Sequence, residues 1–142
     1  MPPEDALPDL LAGRDWYCLS TEPGAVAEPS ELGELSGDVD AWLPADVPGT
    51  AATAVRAAAV RAGDAVGAVA IAERDFDAED WWFRTAFASG GDGPWRLHIG
   101  GLASIADVWL NGEHVLHSEN MFRSHTLDVP ALQSANELVI RC

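Results

Sequence analysis

From residue 80 onward, apolar and polar positions alternate with a period of two. In "DWWFRTAF" (80–87), Trp81, Phe83, Thr85 and Phe87 share one face, with Trp82, Arg84 and Ala86 on the other. "WRLHIGG" sets Trp95, Leu97 and Ile99 against Arg96 and His98. "SIADVWLNG" sets Val108 and Leu110 against Asp107 and Trp109. Asn111-Gly112 then supplies the positive φ angles of a type I′ hairpin turn, with "EHVLH" as the returning strand. "HTLDV" and "NELVIRC" read as two more strands, and "SGGDGP" (89–94) as a turn. Short strands at this density define a mainly β chain folded as a sandwich or barrel. Nothing repeats internally.

The first half has a different texture. Residues 1–13 read as a leader and 14–142 as the folded domain. "DWYCLS" (15–20) is a first strand, with Trp16 and Cys18 facing away from Tyr17 and Leu19. Residues 21–37, rich in Pro, Gly, Ser and Glu, read as a solvent-facing loop. Pro44 and Pro48 keep "DAWLPADVPG" out of any central strand. "TAATAVRAAAVRAG" (50–63) is the one short helix expected, with Thr50 as its N-cap and Gly63 as its stop.

Composition narrows the functions. A 142-residue chain that is 48% hydrophobic and has six tryptophans can bury a core. Its 23 acids face eight bases, all arginine, for a net charge of −15, which repels phosphate backbones and anionic membranes. Neither nucleic acid nor a membrane is therefore an expected partner. No basic and apolar leader marks a secretory signal, no apolar run is long enough to span a bilayer, and two cysteines make no disulfide framework. Buried thiols at Cys18 and Cys142, in a cytoplasmic protein, are the expectation.

Candidate chemistry is sparse. His114 and His117, three apart on a strand, are expected on opposite faces, and no further ligand completes a metal site. Ser104 in "GGLAS" fails the nucleophile-elbow pattern, and "SGGDGP" lacks the third glycine of a dinucleotide fingerprint. Glu119 and Glu137 read as surface residues at strand edges. No catalytic residue, metal or cofactor is expected. Trp82 and Trp109 alternate onto the face that a single sheet turns to water. There an aromatic could stack on a sugar ring or pack against a neighbouring domain; in a two-sheet fold either could instead be core.

The order of the pieces resembles a known family. "WLPADVPGTAATAV", "DWWFRTAF", "LHIGGLASIADVWLNGEHV", "NMFRSHTLDV" and "NELVIRC" follow one another as in the N-terminal domain of glycoside hydrolase family 2. The β-mannosidase and exo-β-glucosaminidase branch is the most similar, over roughly residues 42–142. The resemblance implies a jelly-roll, galactose-binding-like sandwich that packs beside a catalytic barrel holding both catalytic glutamates. It therefore implies a non-catalytic accessory domain whose parent is an O-glycosyl hydrolase of carbohydrate metabolism. Asn136-Glu137 mimics the family's acid/base dipeptide, but it falls on the closing strand and carries no such role. Residues 63–80 place alanines where the family has an aromatic-rich segment. Two alternatives use the same fold: a free-standing carbohydrate-binding, lectin-like module, and a protein-interaction domain.

Overall fold

The computed structural model describes residues 10–11, 13–35, 42–47, 49, 51–61, 63, 75–88, 94–102, 105–129 and 132–142. Most of the leader, Thr50, Ser104, most of 63–74 and the 89–93 turn lie outside them. Eight strands occur among the described residues: β1 (Trp16–Thr21), β2 (Leu43–Ala45), β3 (Asp80–Ala88), β4 (Trp95–Ile99), β5 (Ala106–Leu110), β6 (Glu113–Ser118), β7 (His125–Val129) and β8 (Ala135–Arg141). They form an antiparallel six-stranded sheet ordered β2-β1-β3-β8-β5-β6 and a two-stranded sheet of β4 and β7. This is the mainly β sandwich that the period-two pattern allows, and the resemblance implies its jelly-roll, galactose-binding-like form.

The two-stranded sheet lies over one face of the six-stranded sheet. Trp16, Phe87, Leu97, Val108, Leu110, Leu138 and Ile140 form the core between them, with Ile99, Leu127 and Val129 packed against it. Residue parity follows the sequence reading: Val108 and Leu110 face inward, Trp109 outward. Pro44 sits in the edge strand β2, where its missing N–H does no harm.

Helix content exceeds the single helix expected. α2 (Ala51–Arg61) is the alanine-rich one, and Gly63 beyond it takes φ 69°, the left-handed geometry of a C-terminal stop. Its Ala54 packs with Cys18 and Trp81. The additional helix, α1 (Pro29–Leu35), lies in the stretch expected to be a solvent-facing loop. Val26 and Leu32 there are buried at 0% and 3% exposure against Trp82, Trp109 and Val139. This segment covers the outer face of the large sheet, so β5 is buried at every position. Removing roughly 200 Å² of indole surface from water is worth on the order of 5 kcal/mol, enough to order a short polar segment.

Candidate functional site

The two tryptophans singled out for contact with a sugar or a neighbouring domain are not surface residues. Trp82 is 0% exposed and Trp109 4%, with ring centroids 5.5 Å apart. They do lie on the face opposite the main core, as the alternation requires, but this chain's own Val26 and Leu32 occupy that face. Trp82 Nε1 donates to Thr21 Oγ1 at 3.0 Å, so the indole's polar atom is also satisfied internally.

Beside them, the strand register lines up polar side chains. Trp82 of β3 stands opposite Arg141 of β8, Arg141 opposite Asp107 of β5, and Asp107 opposite His117 of β6. The Arg141 guanidinium carbon lies 5.4 Å from the ring centroids of both Trp82 and Trp109, a cation–π arrangement. Arg141 Nη2 donates to Asp107 Oδ2 at 2.6 Å, and Nη1 donates to the Val26 carbonyl at 3.3 Å, tying the covering segment to the sheet.

His114 and His117 share a face, contrary to expectation. Val108 pairs with Leu116 while Trp109 pairs with His114, so Val115 is an extra residue in β6. This bulge shifts the parity by one and brings both rings over Asp107. His114 Nε2–H donates to Asp107 Oδ1 at 2.9 Å and His117 Nδ1–H donates to the same oxygen at 2.8 Å. His117 Nε2–H also reaches Glu119 Oε1 at 3.2 Å. Burial pushes the Asp107 carboxyl up, but hydrogen bonds from His114, Arg141 and His117, with the arginine's charge, outweigh it and hold the group at about 2. The hydrogen bond to Asp107, then that to Glu119, raises His117 above its ordinary value. An aspartate carrying three donors is a fixed anion, a poor proton donor for glycoside cleavage, which needs a raised pKa.

The Asn136-Glu137 pair is equally committed to structure. Asn136 is 4% exposed; its Oδ1 accepts from Gln133 N at 2.8 Å and Asn111 Nδ2 at 2.9 Å. Its Nδ2 donates to the carbonyls of Gln133 at 2.8 Å and Phe87 at 3.5 Å. Glu137 pairs with Arg84 at 2.7 Å. Both thiols are free and pushed up to about 11 by burial, so neither Cys18 nor Cys142 is a poised nucleophile. Among the described residues, no group of His, Cys, Asp and Glu is arranged to hold a metal ion.

Two surface features went unread in the sequence. A cleft of about 230 Å³ opens between β1, β2 and α2, bounded by Arg14, Asp15, Asp46 and Arg61. The loop joining β6 to β7 displays Phe122 at 89% exposure and Met121 at 47%.

The family model described as "Glycosyl hydrolase 2 galactose-binding domain-like" matches residues 27–142. The chain belongs to that family. Among solved structures, it is similar to a β-glucuronidase from Ruminococcus gnavus in complex with uronic isofagomine. That match has 18% identity and a TM-score of 0.53, and covers 89% of this chain and 20% of that one. The same enzyme with D-glucaro 1,5-lactone matches at 18% identity and TM-score 0.51, with the same coverage. The chain thus spans about a fifth of the length of these structures. At this identity the likeness concerns the fold alone. No curated protein matches the chain. The β-mannosidase branch implied by the sequence is not the branch of these solved structures, which are β-glucuronidases. No described helix is long and apolar enough to cross a membrane.

Proposed function

We propose that this chain is the non-catalytic accessory domain of a family 2 glycoside hydrolase, packing beside a catalytic barrel and shaping access to it. One observation carries the reading. The family match runs through 27–142, while the polar groups on the described sheet faces that could resemble catalytic ones are consumed as internal ties. Asp107 accepts three donors, Asn136 uses its whole amide, and Glu137 is paired with Arg84. Val26 and Leu32 of this chain cover both Trp82 and Trp109, which argues against a sugar contact at either. Trp82 and Trp109 instead serve as the interface between the sheet and its covering segment.

The finer assignment, a β-mannosidase-like parent, rests on the five sequence elements in register from "WLPADVPG" to "NELVIRC". Purified residues 1–142 are expected to release nothing from aryl β-mannoside, β-glucosaminide, β-galactoside or β-glucuronide substrates. The full coding region is expected to contain a barrel with two catalytic carboxylates, and to act on the β-mannoside. Turnover by residues 1–142, lost in Glu119→Gln or Glu137→Gln, would sink the accessory reading. Preference of the full-length protein for a β-glucuronide would sink only the branch.

A further inference from the structure

The register places several chain ends at one end of the sandwich: the start of β5, the end of β6, and the end of β8 opposite Asp107. There the β6–β7 loop sets out Met121 and Phe122, while Ile105, one residue ahead of β5, is 61% exposed. Phe122, at 89%, has almost no packing within this chain. The loop nonetheless has a built conformation. Phe122 N donates to Asn120 Oδ1 at 3.0 Å, Arg123 N to the Asn120 carbonyl at 3.2 Å, and Ser118 Oγ to the same carbonyl at 3.5 Å. The loop also rests on Gly101, where an added Cβ would meet the Met121 carbonyl oxygen at 2.7 Å.

An exposed aromatic on a loop whose backbone is already tied down is what an interface anchor looks like before its pocket arrives: the backbone ordering is already spent and the burial still to be gained. A Phe, a Met and an Ile, beside an Asn120 carboxamide whose oxygen is taken up by the Phe122 amide, suit a protein pocket better than a hydroxylated sugar ring. Chain length says whose pocket. The solved relatives are about five times as long as the segment matched here, and residues that continued beyond β8 would leave the sandwich at this same end. We infer that the Met121–Phe122 loop, with Ile105 beside it, is the docking knob by which this domain seats on the catalytic barrel of its own polypeptide. The inference rests on the accessory-domain reading and adds which surface meets the barrel.

Hydrogen–deuterium exchange separates the two. In the full-length protein, amides of residues 119–124 should exchange at least about tenfold more slowly than in residues 1–142 alone. Phe122→Asp should restore the fast rate in the full-length protein and leave the melting temperature of residues 1–142 unchanged. Equal exchange in both proteins, with a barrel present, would overturn the docking inference and leave the accessory reading standing. A melting temperature lowered by Phe122→Asp would also overturn it, since the residue would then be structural. A coding region without a glycosidase barrel would overturn both. Slowed exchange of 119–124 in residues 1–142 with about 10 mM methyl β-mannoside would mark the loop as a sugar platform and overturn the docking assignment.

Discussion

Gly112 sits at φ 82°, and a Cβ there would meet nothing within 4 Å, so the penalty for a side chain is backbone strain alone. Gly112→Val should lower the unfolding free energy by about 1 kcal/mol or more in urea melts, and Glu113→Val by much less. Asn111, at φ 52°, does more than tolerate the turn. Its Nδ2 donates to Asn136, and its Oδ1 accepts from the Glu137 amide at 2.8 Å, pinning the hairpin to β8. Asn111→Ala should therefore cost about 2–3 kcal/mol, more than the turn geometry alone explains. The sequence signals the turn but not these ties, which depend on β8 lying alongside. Asp107 carries a pH signature. Its pKa falls from 3.8 to about 2 on folding, so its contribution is complete above about 3.8 and fades as pH drops through about 2. His117 is raised above 6.5, so its contribution is complete below 6.5 and fades as pH climbs through the raised value. The stability gap between the wild type and Asp107→Asn should be widest between about pH 4 and 6.5 and narrow on both sides. A gap that stays constant from strong acid to alkali would show that shape, and not charge, holds the cluster.

At the scale of elements, the sequence was most readable where burial is one-sided. The period of β3 and β5 shows which residues face the sandwich core, and α2 ends at a glycine that can be read directly. The covering segment was hidden because Val26 and Leu32 are isolated apolar residues in a polar run, and only the tryptophans beneath them make that run fold. A faint start signal exists: Pro29 occupies the first helical position, and Glu31 Oε2 accepts the Ala27 amide at 2.8 Å. The β6 bulge left no mark, since Val115 is an ordinary strand residue, yet it decides where both histidines point. If Leu32 holds the segment down, Leu32→Ala should cost about 2–4 kcal/mol and shift tryptophan emission to longer wavelength as water reaches Trp82 and Trp109. Val47→Ala, at a 45% exposed position, is the control and should cost less than about 0.5 kcal/mol. Unchanged emission in Leu32→Ala would mean that the sheet face stays dry without the helix.

At the scale of the whole molecule, the order of elements identified the family, whereas parity alone could not say whether the outer face was covered. Charge is the property that acts on the molecule as a unit. With 23 acids against eight arginines, the folded chain concentrates a net −15. Arg96–Asp128 is an attractive pair whose side chains are 74% and 88% exposed, so it adds little in water. Arg141–Asp107 is shielded, and salt reaches it weakly. Self-repulsion among unpaired surface acids is thus the part of the electrostatic energy most open to screening, since the Debye length contracts to about 10 Å at 0.1 M salt. Raising NaCl from about 20 mM to about 0.5 M at pH 7 should lift the melting temperature by roughly 3–5 °C, the shift that about 1 kcal/mol produces in a chain of this size. The effect should shrink near pH 4, within the ordinary carboxylate range of about 3.9 to 4.3, where protonation lowers the net negative charge. A melting temperature that falls with added salt would mean that attractive pairs outweigh repulsion, and would point to the more exposed Arg84–Glu137 pair as a main electrostatic support of the fold.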